Sequence, residues 1–183
     1  LTRVAHAGRE IGLALGEPAS ARGYPPSAIA MLPNLIERAG TDVTSGGSIT
    51  AIYTVLADGD DGNDPVVDSA RSILDGHIVL SRALAERAVY PAIDVSKSVS
   101  RVMTDIAAPA HLRAARVLRR HLATYEENRD LVLMGAYRSG SDPEIDAAIA
   151  YHPAVMEFVR QDADAVVPLE DSIAELTGVF GDG

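Results

Sequence analysis

The chain has no cysteine, no tryptophan and a single lysine among its 183 residues. Without thiols, neither a disulfide framework nor a thiolate metal site is open to it, and a reducing compartment suits it. Aromatic residues make up 4% of the sequence, which leaves few rings on which single-stranded nucleic acid could stack. Cations are scarce as well: 16 Lys and Arg face 26 Asp and Glu, a formal net charge of -10. Phosphate backbones are held by clustered cations, so no nucleic-acid partner is expected. No apolar run approaches the roughly 20 residues of a membrane helix, and the chain is expected to be cytoplasmic. The lone lysine, Lys97, follows Ser96, whereas the phosphate-binding loop G-x-x-x-x-G-K-[ST] requires glycine there. That loop is absent.

What is present is 47% hydrophobic, enough for a core in one domain, or in one and a small second. Apolar residues from Arg3 to Leu15 recur at helical spacing until Gly16 and Pro18 end the pattern. Ala19 to Pro26 reads as a loop. Ser27 is placed to cap a helix running to Arg38, with Pro33 inside it and Gly40 beyond its end. Ser48 to Leu56 is β-branched and aromatic enough for a buried strand. Val66 to Leu74 reads as a helix and His77 to Leu80 as a strand, and Ser81 can cap a helix from Arg82 to Ala88. This alternation predicts α/β architecture with a parallel sheet. After Met103 the β-rich runs stop. Pro109 to Leu133 is strongly helical, with Leu112, Ala115, Leu118, Leu122 and Tyr125 on one face. Asp142-Pro143 opens a helix to about Ala150, a further one runs through Phe158, and Pro168 to Leu176 forms the last. The expected division is residues 1–106 and an all-helical subdomain of residues 107–183.

Chemistry concentrates around Tyr90-Pro91 and the Ser-rich stretch that leads from there to Arg101. An aromatic and a proline close a helix, and the following loop can aim a planar five-donor guanidinium at an anion. From these residues alone the commoner reading is a surface turn with one solvated arginine. The acidic loop containing Asp58, Asp60, Asp61 and Asp64 raises hard-cation binding, but its spacing is not that of an EF-hand, and Asp64-Pro65 matches a helix cap with proline at the first position. No metal site is expected. His77 reads as a strand-end histidine. Arg113, Arg116, Arg119 and Arg120 fall at helical spacing and read as a solvated face.

Several motifs lie in one register: Arg9-Glu10-Ile11-Gly12-Leu13-Ala14 with Gly16-Glu17-Pro18, then Arg22-Gly23-Tyr24-Pro25-Pro26-Ser27, Gly47-Ser48-Ile49-Thr50, and Leu74-Asp75-Gly76-His77 ahead of Tyr90. With Gly135-Ala136-Tyr137 and Gly140-Ser141-Asp142-Pro143-Glu144, they cover nearly the whole chain. In this order they resemble the nucleotide-binding subunits of the rotary ATPase superfamily, within it the flagellar and type III secretion export ATPases. The resemblance implies the C-terminal part of a RecA-like P-loop NTPase core followed by the helical subdomain. It implies a homohexamer with ATP and Mg2+ between neighbours, with Arg101 as the arginine finger offered to the adjacent subunit's ATP. Tyr90 would stack on adenine, and Phe158 is either the second wall of that pocket or a core phenylalanine. Tyr24 and the loop with Asp60, Asp61 and Asp64 would touch a central stalk; each is equally a packed aromatic or a solvated turn. Further implied partners are a peripheral regulator, export substrates with their chaperones, and an export gate, at the cytoplasmic face of the membrane.

Three expectations follow from what this span omits. The phosphate-loop lysine, the catalytic glutamate and the Walker B aspartate are missing, and Leu56 stands where the catalytic subunit of ATP synthase has tyrosine. The chain, opening on Leu1, is expected to be a C-terminal fragment, inactive alone and marginally folded because a sheet edge is left unpaired. Alternatives are a subunit of an ion-translocating rotary ATP synthase and a truncated, non-catalytic docking module.

Overall fold

A computed structural model describes residues 1–57 and 64–181. The chain divides into two compact units, Leu1–Asp75 and Gly76–Gly183. In the first, α1 (Thr2–Ala14) packs on α2 (Pro26–Ile36) and α2 on α3 (Pro65–Ile73). Small residues bring α1 and α2 together: a Cβ added at Gly12 would lie 2.7 Å from Pro25 Cγ, and one at Gly8 would lie 2.9 Å from Met31 Cε. The core they enclose contains Ala5, Tyr24, Ala28, Leu32 and Val66. Helix α2 begins one residue ahead of the expected cap. Pro26 takes the first helical position, where its fixed φ and missing N–H cost nothing, so Ser27 lies inside the helix.

The strand expected over Ser48 to Leu56 forms over two residues. β1 (Gly40–Thr41) and β2 (Ser48–Ile49) make an antiparallel hairpin, pairing Gly40 with Ile49 and Thr41 with Ser48. Asp42 closes its turn, accepting from the Ser45 hydroxyl and from the Thr44 N–H (3.0 Å) and hydroxyl (2.9 Å). These bonds, the Ser45 hydroxyl first, hold its carboxyl well below the usual range. Beyond Ile49 the chain is irregular, with Ile52 93% and Leu56 72% exposed. β propensity describes a side chain's fit to a pleated surface, and a ladder also needs a partner edge. The segment is pinned instead at Thr2, whose hydroxyl donates to the Leu56 carbonyl (3.3 Å) and accepts from its N–H (2.8 Å).

In the second unit β3 (Gly76–Leu80) pairs with β4 (Ile93–Ser100). The pairing is antiparallel, so the parallel pairing expected of this region is not found among the described residues. The connection explains it: Ser81 N–H donates to the Ala92 carbonyl at 2.8 Å, closing a hairpin around α4 (Arg82–Glu86). Asp94 to Val99 lies opposite Val79 to His77, so β4 takes five residue steps against two and bulges. The Ser-rich stretch expected to be a loop is therefore the bulged half of a strand.

A short α5 (Met103–Ile106) leads into α6 (Pro109–Leu133), the helix the periodicity predicts residue for residue. α7 (Pro143–Val159) is one helix where two were expected, because Ala148 and Val155 are both buried on the packed face and carry it through Pro153. It starts at the Asp142 cap, which accepts from Glu144 N–H (2.8 Å) and Ile145 N–H (3.3 Å). α8 (Leu169–Phe180) completes the bundle. Its core holds Val117, Leu118, Leu122, Val155, Leu176 and Phe180, with Val95 of β4 packed against it. Among the described residues no helix is long and apolar enough to cross a membrane.

Candidate functional site

Tyr90 is 55% exposed and stands over a cleft of about 360 Å³ lined by Ala88, Arg160, Gln161, Asp162 and Ala163. The backbone builds this cleft from two distant pieces of sequence. Ala88 sits in the left-handed region at φ 54, a conformation that L residues other than Asn and Asp seldom adopt and that recurs at functional turns. The Tyr90-Pro91 peptide is cis. On the other side α7 ends at Val159, and Gln161 N–H donates to the Tyr90 carbonyl at 2.9 Å. The Gln161 side-chain amide donates to the Ala165 carbonyl at 2.8 Å, holding that wall in place. A half-exposed ring beside a cleft edged by an arginine and an aspartate can take a flat polar heterocycle on its face.

Phe158 is placed elsewhere. It packs on the helical core with its ring edge-on to Phe180 at 6.4 Å, and the cleft at Tyr90 is walled by Arg160 to Ala163. Of the two readings open for Phe158, this geometry is the core phenylalanine. The signal for the wall that sequence reasoning missed was the polar Arg160-Gln161-Asp162 immediately after a predicted helix, which only a tertiary contact brings to Tyr90.

Arg101 follows the last residue of β4 and is exposed. Tyr90 and Arg101 thus flank opposite ends of one strand. Tyr24 is buried at 5% exposure, its ring stacked on His6 at 6.2 Å with the Arg9 guanidinium 5.3 Å over its face. Asp64 is buried too, and its carboxylate caps α3, accepting from Val66 N–H (2.8 Å) and Val67 N–H (3.2 Å). The stalk contact expected of Tyr24 and Asp64 meets a packed aromatic and a helix cap. Asp60 and Asp61 lie outside the described residues. Among the described residues no group of three or more His, Asp or Glu could hold a metal ion.

The solvated face expected of the α6 arginines needs one amendment. Arg119 reaches back to β4 and donates to the carbonyls of Ser98 (3.0 Å) and Ser96 (3.5 Å).

Comparison with known proteins agrees with the resemblance. The family description "ATP synthase alpha/beta family, nucleotide-binding domain" matches residues 1–100, and "T3SS EscN ATPase C-terminal domain" matches residues 107–178. The chain is 51% identical over 183 residues to a flagellum-specific ATP synthase of Pseudomonas aeruginosa, covering 100% of this chain and 41% of that protein. It is 51% identical over 176 residues to a type 3 secretion system ATPase of Pseudomonas syringae, covering 96% of this chain and 39% of the relative. The chain therefore spans about two-fifths of the length of the curated relatives it matches. Among solved structures, the assembled ATPase EscN from the type III secretion system of enteropathogenic E. coli superposes with a TM-score of 0.90 at 46% identity, over 96% of this chain and 42% of that one. With its nucleotide-binding-domain match extending over more than half of its residues, the chain belongs to the ATP synthase alpha/beta family.

Proposed function

We propose that this chain is the C-terminal part of a ring-forming ATPase that hydrolyses ATP to energise protein export through a flagellar or type III secretion apparatus. The observation that carries the reading is the match, over nearly all of this chain and at about half identity, to flagellum-specific and type 3 secretion ATPases, with the export-type C-terminal description over residues 107–178. That second match favours export over an ion-translocating synthase subunit. A subunit of that broader kind, the ATP synthase subunit NeqB of Nanoarchaeum equitans, superposes at a TM-score of 0.83 but with 31% identity.

In this reading the nucleotide lies between neighbouring subunits of a homohexamer. Tyr90 stacks on the adenine held by its own subunit, with Arg160 to Ala163 as the facing wall. Arg101 reaches the γ-phosphate on the adjacent subunit. Water attacks the γ-phosphorus as the bond to the ADP oxygen breaks, and the guanidinium neutralises charge on the transferred group. The placement of Tyr90 and Arg101 at opposite ends of β4 supports two different nucleotides being served by one chain. Mg2+ would accompany ATP, with its ligands mostly outside this span of the protein.

A central stalk protein occupies the ring axis, in keeping with a related structure described as EscN in complex with its central stalk EscO. The loop with Asp60 and Asp61 is the proposed contact. A peripheral regulator, export substrates, their chaperones and a gate at the cytoplasmic face of the membrane complete the assembly.

The test is ATP turnover by the full-length protein carrying Arg101→Ala. An arginine finger is worth about 10³ to 10⁵ in rate, so turnover falls by at least about a hundredfold while ATP still binds. Unchanged turnover refutes the role of Arg101. A full-length wild-type protein that neither binds nor hydrolyses ATP instead favours the docking module.

A further inference from the structure

The bulge in β4 ends at Val99, two residues before Arg101, and α6 grips it through side-chain bonds. Ser96 is held twice by that helix: its hydroxyl donates to Glu126 Oε2 at 2.8 Å, and its carbonyl accepts from Arg119 at 3.5 Å. Arg119 also takes the Ser98 carbonyl at 3.0 Å. Arg119 and Glu126 are seven residues apart, two helical turns on one face, so a single rigid element sets both contacts. β3 also takes hold, through His77, whose Nε2 donates to the Lys97 carbonyl at 3.0 Å, and through Val79 N–H, which donates to Ser98 Oγ at 3.0 Å. Inside the bulge, Lys97 N–H donates to Asp94 Oδ1 (3.0 Å) and Ser98 Oγ donates to the Asp94 carbonyl (2.6 Å).

The internal bonds and those from β3 hold Lys97 and the Ser98 hydroxyl, whereas the carbonyls of Ser96 and Ser98 are taken by Arg119 of α6. The α6 bonds tie the strand that leads to Arg101 to the helical bundle. Bulges re-aim the side chains that follow them, and a misplacement of about 1 Å in a reacting group can cost on the order of a hundredfold in rate. We propose that Arg119 and Glu126 are positioning residues for Arg101, clamping the β4 bulge through Ser96 and Ser98 so that the guanidinium is presented in a fixed direction. The proposal rests on the reading of Arg101 as the residue that meets the neighbouring γ-phosphate.

The experiment is steady-state ATP hydrolysis by the full-length protein carrying Arg119→Ala, Glu126→Ala, Arg101→Ala and the Arg119→Ala/Arg101→Ala double substitution, with Arg113→Ala as control. For Arg119→Ala we expect kcat to fall by about tenfold to a hundredfold with KM within about twofold, since orientation and not nucleotide binding is lost. Glu126→Ala shifts kcat in the same direction by less, and Glu126→Gln, which keeps an oxygen for Ser96, restores it. In the Arg101→Ala background the Arg119 substitution adds less than about twofold, because a positioning residue acts only through the group it positions. Arg113→Ala leaves turnover unchanged.

If Arg101→Ala slows turnover while Arg119→Ala does not, or if the two losses multiply, the clamp is refuted and the finger stands. If Arg101→Ala is itself silent, the finger reading falls and takes the clamp with it. Should Arg119→Ala not fold, Arg119→Met and the Glu126 pair carry the test: methionine keeps much of the apolar stem but donates to neither carbonyl, so a loss of kcat is expected and full activity overturns the proposal.

Discussion

The unit from Leu1 to Asp75 is held by backbone proximity, whereas the unit from Gly76 onward is held by large side chains. In the first, α1 meets α2 through Gly8 and Gly12, and the core of the unit is Ala5, Ala28, Leu32 and Val66 with one tyrosine, Tyr24. In the second, α6, α7 and α8 enclose Phe180, which is 1% exposed and touches the rings of Tyr151 and Phe158. Close-packed backbones are damaged by added volume and large-residue cores by removed volume, so the two units should fail under opposite substitutions.

Phe180→Ala should have the largest effect, about 3–5 kcal/mol, since it removes a fully buried ring from the centre of the bundle. Measured by hydrogen exchange in the full-length protein, protection should drop across α6 to α8 and stay unchanged in α1 and α2. Equal loss in both units would mean that they unfold as one block and would break the comparison.

Gly12→Ala tests the other side. Alanine is the better helix former by about 1 kcal/mol, but the new methyl would sit 2.7 Å from Pro25 Cγ and 3.1 Å from Ser27 Oγ. Neither the proline ring nor the first turn of α2 yields easily, so overpacking of about 1–3 kcal/mol wins and the substitution destabilises the first unit. At Gly8 the nearest atom is Met31 Cε, the free end of a flexible side chain, and Gly8→Ala should be within about 1 kcal/mol of neutral. Urea midpoints for the two variants that move together would remove the distinction. A smaller effect is expected of Asp64→Ala, which frees the N–H groups of Val66 and Val67 and should cost about 1 kcal/mol in the same measurement.

These contrasts follow what was legible in the sequence. Helices were, because their hydrogen bonds and caps are local: the bounds of α6 and the Asp64 and Asp142 caps can be read from Pro109, Asp64-Pro65 and Asp142-Pro143 alone. Strands were legible as propensity but not as pairing. Ser48 to Leu56 and Ile93 to Ser100 are both β-rich or Ser-rich stretches, yet one forms two residues of strand and the other eight, since a ladder depends on which edge lies alongside. At the candidate site, Tyr90 and Arg101 announce themselves by motif. The wall from Arg160 to Ala163 and the grip of Arg119 on the Ser96 and Ser98 carbonyls arise from tertiary contact, and no local spacing encodes them.

The weakest lever on the comparison is pH, and it should act on the second unit through two ring stacks between α6 and α7. His121 lies 4.5 Å from Tyr151 and His152 lies 3.6 Å from Tyr125, centroid to centroid. Burial lowers the pKa of both below the ordinary 6.5, with Arg120 adding to it at His121 and Arg87, Arg129 and Arg160 adding to it at His152. A lowered folded-state value means that below pH 6.5 the unfolded chain binds protons the folded chain refuses, so stability is complete above 6.5 and declines as pH falls toward the folded values. The decline should be modest, because His152 is only partly buried and solvent screens its charge. Melting the full-length protein across this range should show the loss, with hydrogen exchange in α6 and α7 rising before that in α1 and α2. The His121→Gln/His152→Gln variant should show a flatter profile. A profile of the same slope in that variant would assign the pH response to other groups and leave the two stacks as packing alone.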